Sequence, residues 1–281
     1  MTAILLALVS ATMYGLSDFV GGLVSRRVSA WPAAVVGQLS STAFTAVAAL
    51  FVAGDPALGD FAWGALAGIG AGVGTGFLYR GFSEGRMGVV APVSAVGAAL
   101  VPIAAGILGG ERPAALMWVG IVLAIPAIWL VSTVPPGPDG AKPTSFAAGL
   151  TDGVLAGLGF GGLFAALGQV PDSAGLWPLS AAQASSVIAV VALASALGVA
   201  WVPRERKAGW AALTGPLGGS ATLAFLLATH HGFLTLAGVL ASLYPAVTVL
   251  LAVAFLRERV HTTQSVGLAL CAACVVCVSL S

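Results

Sequence analysis

Charged residues are scarce in this chain. Of its 281 residues, 11 are Lys or Arg and 10 are Asp or Glu, which is 7%, whereas a soluble globular domain carries roughly 25%. The formal net charge is only +1, and the sequence has no run of basic residues. Because nucleic-acid binding depends on clustered Lys and Arg that neutralise phosphates, these shortages exclude an ordinary soluble domain and argue against a nucleic-acid-binding protein.

Motifs for catalysis, nucleotide binding and metal binding are also lacking. The chain has no G-x-S-x-G elbow and no G-x-x-x-x-G-K-[ST] loop. Its three cysteines, Cys271, Cys274 and Cys277, have the spacing of a cluster-binding run, but they lie in an apolar segment and there is no fourth cysteine. We interpret them as small core residues and expect no catalytic residue, no metal and no cofactor.

Apolar residues are correspondingly abundant in the chain. They make up 59% of the chain, and the mean hydropathy is +1.04. A membrane helix needs about 20 apolar residues, so ten helices account for most of the length. The sequence therefore predicts an all-α, multi-pass protein of the cytoplasmic membrane with ten transmembrane helices. The predicted spans are residues 3–24, 32–53, 61–80, 89–109, 114–134, 145–167, 178–201, 208–230, 235–256 and 264–280.

The two halves of the chain share short, uncommon sequence motifs, and each motif recurs 145 to 147 residues later. The matches are Trp31-Pro32 with Trp177-Pro178, Gln38 with Gln183, and Glu111-Arg112 with Glu258-Arg259. They predict a first five-helix repeat over residues 1–134, a Pro/Gly linker over 135–144, and a second repeat over 145–281. An odd number of spans makes the second repeat enter the membrane inverted, as in many secondary transporters.

The basic residues predict an orientation in the membrane. Ten of the 11 Lys and Arg residues fall in loops after odd-numbered helices, and Arg112 is the exception. Since loops rich in Lys and Arg remain in the cytoplasm, these loops are predicted to be cytoplasmic and both termini to be outside.

Short motifs in both halves resemble a known family. The first half has the segments 79–82, 85–92 and 109–112 followed by Gly120, and the second has Ser242-Leu243-Tyr244-Pro245 and the segment 256–259. They resemble the EamA repeat of the drug/metabolite transporter superfamily. The resemblance implies a ten-helix carrier that exports or exchanges small metabolites, amino acids or drugs. Members usually keep both termini in the cytoplasm, which is the opposite of the orientation that the charge count predicts.

One carboxylate, Asp18, lies well inside the first predicted span. An unpaired carboxylate there costs on the order of 3 kcal/mol on insertion scales, so it must face a wet cavity, pair with a cation or carry a proton. Two interpretations stay open. Asp18 either binds substrate or a coupling proton, or it is a structural tether to Arg26, Arg27 or a helix end.

Polar and aromatic residues at matching depths suggest a central cavity. Gln38 and Gln183 occupy equivalent places in the two repeats, and two such amides could line one site or could instead bond neighbouring helices together. The predicted lining is Tyr14, Ser17, Asp18, Gln38, Gln183 and Tyr244.

Charged and titratable residues near helix ends are candidates for gating. Arg80 and Glu84 have the i, i+4 spacing of an ion pair, and His230 and His231 end the equivalent helix of the second repeat. We expect Asp152 to be interfacial. For Glu111 we expect loop hydrogen bonds or pairing with its neighbour Arg112.

Glycines recur every four residues on two of the predicted helices. Such positions share one helix face and let a neighbouring backbone approach closely, which predicts tight helix packing and allows rocking. The glycines are Gly64, Gly68, Gly72 and Gly76 on the third helix and Gly149, Gly153, Gly157 and Gly161 on the sixth.

A secondary transporter that works by alternating access fits these features best. Its expected partners are a small-molecule substrate, the lipid bilayer and, as coupling ion, a proton at Asp18, with a monomer and a homodimer both open. The alternatives are a channel or a structural membrane protein. An intramembrane enzyme is disfavoured because only one convincing intramembrane carboxylate is present.

Overall fold

The computed structural model describes residues 1–25, 28–83, 87–133, 146–256 and 261–281, and in these ranges the protein is helical without strands. Proline and glycine set most of the helix ends. The helices are α1 (Thr2–Ser25), α2 (Ala30–Ala49), α3 (Leu58–Ser83), α4 (Met87–Leu108), α5 (Ala115–Ser132), α6 (Phe146–Leu167), α7 (Trp177–Ala196), α8 (Thr214–His231), α9 (Leu234–Ala241), α10 (Tyr244–Leu256) and α11 (Thr262–Ser279).

The ten-helix prediction is confirmed, since α9 and α10 together form one span, Leu234–Leu256. Nine spans among the described residues are long and apolar enough to cross a membrane, and α2, with 20 residues, is the tenth helix. A bilayer core of about 30 Å matches helices of this length. The chain is therefore a multi-pass membrane protein.

Some predicted helix ends were wrong. The span predicted at 235–256 is two helices, because Pro245 has no N–H to donate and its ring clashes one turn back, so the chain turns after Ala241 and restarts at Tyr244. The seventh helix ends at Ala196 instead of 201, where Gly198 adopts a positive φ of 68°. The second helix ends four residues early, at Ala49, and a 3₁₀ helix, Arg206–Leu213, precedes α8.

The helices of the two repeats interleave. Helix α1 packs on α8, α9 and α10, while α6 packs on α3 and α4. We call these groups the α1 bundle and the α6 bundle. Helices α2 and α7, α4 and α9, and α5 and α11 also pair across the repeats. The counterparts in the two repeats are α1 and α6, α2 and α7, α3 and α8, α4 and the pair α9–α10, and α5 and α11. If each helix is replaced by its counterpart, the same pairs of neighbours result, which is the packing expected of two inverted repeats. The predicted linker, 135–144, lies outside the described residues, and the domain limits stay a prediction.

Glycine faces make the close contacts between repeats, as the spacing predicts. A Cβ added to Gly68 of α3 would lie 2.8 Å from the Ser185 Cβ of α7, and one on Gly72 would lie 2.9 Å from the Ser186 carbonyl oxygen. The equivalent contacts join Gly215 and Gly219 of α8 to Ser40 and Ser41 of α2. Each pair of serines therefore packs on a pair of glycines from the other repeat.

A second matched contact fixes the equivalence of α1 and α6. A Cβ on Gly15 of α1 would lie 2.6 Å from the Val247 Cβ of α10, and one on Gly161 of α6 would lie 2.5 Å from the Val101 Cβ of α4. Both partners differ by 146 positions between the two contacts. Position 18 of α1 therefore corresponds to position 164 of α6.

The two ends of the helix bundle differ in their loops. We call the end that carries both termini the terminal end, and the opposite end, whose loops hold most of the Lys and Arg residues, the basic end. At the terminal end, the loops after α2 and α6 are joined, because the Asp55 N–H donates to the Ser173 carbonyl oxygen at 2.9 Å and Gly54 packs on Gly175. These contacts hold the two repeats together there.

Candidate transport site

Asp18 lies in a recess between the two bundles. Its side chain is exposed to solvent, and Tyr14, one turn earlier on α1, packs on Phe164 of the α6 bundle and on Tyr244 of the α1 bundle. Asp18 interacts electrostatically with Tyr14, Tyr79 and Tyr244. These are all three tyrosines of the chain. We call the recess bounded by these four residues the vestibule.

Three helices bring the vestibule residues together. Tyr14 precedes Asp18 by one helical turn on α1, Tyr79 comes from α3 of the α6 bundle, and Tyr244 is the first residue of α10. The break before α10 gives Tyr244 its place, and the missing side chain at Gly15 lets α10 approach α1. The rings of Tyr14 and Tyr244 are 6.1 Å apart. The vestibule therefore has walls from both bundles.

Two other predicted lining residues lie on the same side of the molecule. The Ser17 hydroxyl donates to the Thr214 carbonyl oxygen at the start of α8, at 3.3 Å, so it ties α1 to α8. Gln38 is partly exposed on α2, and within the described residues its side-chain amide has no hydrogen-bond partner.

Gln183 is not in the vestibule in this state. It is 6% exposed, and its Nε2 donates to the Thr222 Oγ1 of α8 at 2.9 Å. This geometry favours the interpretation in which Gln183 bonds two helices together. A role in lining the cavity stays a prediction for this residue.

An apolar layer closes the space beyond the vestibule toward the terminal end. Phe164 of the α6 bundle packs on Phe225 of the α1 bundle, with ring centroids 4.5 Å apart, and meets Tyr14 edge-on at 5.8 Å. Phe164 is 3% exposed, and Phe225 and Leu226 are fully buried. Sequence reasoning missed this layer, because phenylalanine and leucine give no signal within an apolar helix.

Equivalent positions of the two repeats have opposite exposure. At four positions the residue of the first repeat is exposed or partly exposed, whereas its counterpart in the second repeat is buried. The pairs are Asp18 and Phe164, Gln38 and Gln183, Thr75 and Thr222, and Tyr79 and Leu226. Among the described residues, the members of these pairs that have accessible surface therefore all belong to the first repeat, and their buried counterparts all belong to the second.

Asp152, which is expected to be interfacial, is buried against another helix, and its depth in the membrane stays a prediction. Asp152 has no exposed side-chain surface and forms an ion pair with Arg80, whose Nε donates to Oδ1 at 2.9 Å. The Arg80 guanidinium also lies over the Phe77 ring, 4.6 Å from its centroid. Glu84, the partner predicted for Arg80, lies outside the described residues. The sequence could not reveal the pair, because its members are joined only by the packing of α3 on α6.

The histidines at the end of α8 differ in their surroundings. His230 is held against the connection between α6 and α7, with Nε2 2.9 Å from the Val170 carbonyl oxygen and Nδ1 3.2 Å from a carboxylate oxygen of Asp172. His231 is exposed. A gating role for either histidine, or for Arg80, stays a prediction.

Glu111 makes a contact between repeats that the sequence did not predict. Its carboxylate accepts the backbone N–H groups of Leu234 and Thr235, the latter at 2.9 Å. Free N–H groups and the helix dipole make a helix N-terminus a favourable place for a carboxylate. Glu111, just after α4, thereby fixes the start of α9. Elsewhere in the described residues, no three His, Cys, Asp or Glu side chains come together as a metal site would require.

Comparisons with known proteins agree with this architecture. The sequence model of the EamA-like transporter family matches residues 1–133 and again residues 147–280. One solved structure, a crystal structure of a protein 17% identical in sequence, matches with a TM-score of 0.72 over 99% of this chain and 95% of its own length. No curated protein matches the chain.

Proposed function

The chain belongs to the EamA-like transporter family, and from this premise we propose that it is a secondary carrier working by alternating access. The family consists of membrane transporters of the drug/metabolite type, not enzymes. The proposed activity is export or exchange of a small metabolite, amino acid or drug through the vestibule. Inverted repeats around a shared site are the usual architecture for such a cycle.

The opposite exposure of equivalent positions supports this proposal most directly. A carrier with inverted repeats reaches its second state when the repeats exchange conformations. In that state Gln183 and Thr222 separate, and Gln38 bonds to Thr75, its equivalent partner on α3. The vestibule then closes at the basic end and opens through the layer around Phe164. A channel, by contrast, needs both ends open at once.

Rocking of the α1 bundle against the α6 bundle is the proposed movement. Glycines packed on serines join α3 of the α6 bundle to α7 and α8 of the α1 bundle to α2, whereas the two bundles meet each other where Phe164 packs on Phe225. Packed interfaces of this kind have a few discrete arrangements rather than a continuous range. Asp18 is the proposed site of the coupling proton, since a carboxylate inside a membrane protein is a common proton carrier.

Cysteine accessibility tests the proposal. In a background with Cys271, Cys274 and Cys277 replaced by alanine, single Tyr79→Cys and Leu226→Cys variants are labelled in proteoliposomes with a membrane-impermeant maleimide. We expect rapid labelling of Tyr79→Cys from the basic end and slow labelling of Leu226→Cys from the terminal end, because the second site is buried in this state.

A cross-link makes the test decisive. Oxidation of a Gln38→Cys/Thr75→Cys pair should close the basic end and speed labelling of Leu226→Cys from the terminal end, and reduction should reverse the effect. The matched control is Gln183→Cys/Thr222→Cys, whose cross-link should instead protect Leu226→Cys. A cross-linked basic end with no change in labelling at position 226 would contradict alternating access.

A further inference from the structure

Asp18 and Asp152 are both carboxylates within membrane helices, but only Asp152 has a protein cation as partner. Arg80 neutralises Asp152. No Lys, Arg or His of the described residues lies against Asp18, whose electrostatic contacts are the three tyrosines. A carboxylate at this depth is stable only with a proton, water or a cation beside it. Within the part of the chain that the structure describes, the vestibule is therefore a site of net negative charge without a cation.

The tyrosines around Asp18 favour one kind of cation. An ammonium group within about 6 Å of an aromatic ring is attracted by the negative face of the ring, and several rings together recognise alkylated ammonium groups. The chain has three tyrosines, all three interact electrostatically with Asp18, and the rings of Tyr14 and Tyr244 are 6.1 Å apart. The Tyr14 hydroxyl is buried and, among the described residues, has no hydrogen-bond partner.

We propose that the vestibule binds a small organic cation, a protonated or quaternary amine, whose charge lies at Asp18 between Tyr14, Tyr79 and Tyr244. The inference names a substrate class for the carrier and rests on the proposed function. The carboxylate neutralises the ammonium group, and the rings contact its carbon atoms. Tyr79 belongs to the α6 bundle and the other three residues to the α1 bundle, so a bound cation contacts both moving parts.

Other ligand classes fit the vestibule less well. An anion would be repelled by Asp18, and Arg80, which follows Tyr79 in the sequence, is paired with Asp152. A hard metal ion such as Ca²⁺ takes about 6–8 oxygen ligands. The vestibule supplies only one carboxylate and phenol groups. A neutral solute would leave the carboxylate uncompensated in a space lined largely by aromatic rings.

Binding of a defined probe tests the inference without requiring transport. Benzyltrimethylammonium and its uncharged carbon isostere, neopentylbenzene, are titrated by calorimetry into the full-length protein in nanodiscs. We expect the cation to bind and the isostere not to bind at the same concentrations. Asp18→Asn should weaken binding of the cation by roughly tenfold or more, because the charge partner is lost. The control Asp60→Asn removes a carboxylate at the start of α3, outside the vestibule, and should have no effect.

Variants of Tyr79 separate ring contact from a general loss of structure. Tyr79→Phe should keep the affinity, and Tyr79→Leu should reduce it by roughly threefold to thirtyfold. If Asp18→Asn fails to fold, Asp18→Glu must still bind the cation and Tyr79→Leu must still weaken it. Equal binding of cation and isostere, or cation binding unaffected by Asp18→Asn and Tyr79→Leu, would overturn the inference.

The outcome is independent of the accessibility test. Cysteine labelling that alternates between the two ends, without cation binding, would reject the substrate class and leave the carrier mechanism standing. Cation binding without alternating labelling would reject the carrier mechanism and leave the site standing.

Discussion

The terminal and basic ends of this protein are built from equivalent positions and have opposite states. At the terminal end, Phe164 packs on Phe225, and Gln183 is bonded to Thr222. At the basic end, the counterparts of Phe164 and Gln183 are Asp18 and Gln38, and both have accessible surface. Similar repeat sequences thus take up two conformations in one chain, which is the asymmetry that an inverted-repeat carrier needs in each of its end states.

The comparison also shows a permanent difference between the repeats. Position 18 is an aspartate and position 164 a phenylalanine, while position 79 is a tyrosine and position 226 a leucine. No conformational change can exchange these residue types. We therefore expect the first repeat to provide ligand chemistry in both states, and the second to provide the apolar seal of one state.

The largest expected effect concerns the two intramembrane acids. Asp152→Asn should destabilise the protein by about 2–3 kcal/mol, because it removes the ion pair and charged hydrogen bond between a fully buried carboxylate and the partly exposed Arg80. Asp18→Asn should leave stability unchanged or raise it, because it removes a charge that no cation among the described residues neutralises. Thermal melting of both purified variants in the same detergent measures the difference. Equal losses for the two variants would show that Asp18 is a structural tether after all.

A smaller loss is expected at the glycine contacts between repeats. Gly72→Ala places a Cβ 2.9 Å from the Ser186 carbonyl oxygen and should cost about 1–3 kcal/mol, because backbone cannot move aside as a flexible side chain can. Gly162→Ala on α6 is the matched control, since a Cβ there meets nothing within 4 Å. The control should melt at the same temperature as the unaltered protein or higher. If both variants melt alike, the close packing of α3 on α7 contributes little to stability.

The next prediction concerns the closed pair at the terminal end. Gln183→Leu removes the hydrogen bond to Thr222, whose hydroxyl keeps its bonds to the carbonyl oxygens of Gly218 and Gly219, and should destabilise the closed end by about 1 kcal/mol. Labelling of Leu226→Cys from the terminal end should then become faster. Gln38→Leu, the equivalent change at the open end, should slow that labelling, because its hydrogen bond forms only in the other state. Identical effects of the two changes would argue against the exchange of conformations between repeats.

Much of the fold was predictable from the sequence, because long apolar runs bounded by proline, glycine and charge mark membrane helices, and repeated words mark the duplication. The helix break before Tyr244 was not. Pro92 and Pro102 lie inside α4, which continues through both of them, whereas the chain breaks just before Pro245. Tertiary packing decides whether a proline interrupts a helix, and this packing cannot be read from a single sequence.

The site was predictable only in its polar part. A carboxylate in an apolar helix is conspicuous, so Asp18 and its neighbour Tyr14 stand out, but the burial of Asp152 depends on a partner 72 positions away in the other repeat. The contact of Glu111 with the start of α9 likewise spans 123 positions. Such pairings follow from the interleaving of the two bundles, and no periodicity in the sequence encodes them.

The acidity of the medium should change ligand binding in a defined direction. Only the charged form of Asp18 attracts a cation, so lowering the pH should weaken binding of benzyltrimethylammonium and raising the pH should strengthen it until the carboxylate is fully ionised. In Asp18→Asn the residual binding should not vary with pH. Calorimetry in acidic and alkaline buffers measures both variants. A pH dependence that persists in Asp18→Asn would assign it to another group.

The smallest effect on ligand binding is expected from a substitution in the linker, which serves to determine which end of the protein faces the cytoplasm. The charge count predicts that the linker 135–144, at the basic end, is cytoplasmic, because loops rich in Lys and Arg are retained there. A cysteine that replaces Lys142 in the cysteine-free background should leave ligand binding unchanged and should not react with an impermeant maleimide added to intact cells. It should react once the cells are opened. Strong labelling from outside would reverse the orientation, so that the vestibule described here opens to the exterior, and the two ends would exchange their places in the transport cycle.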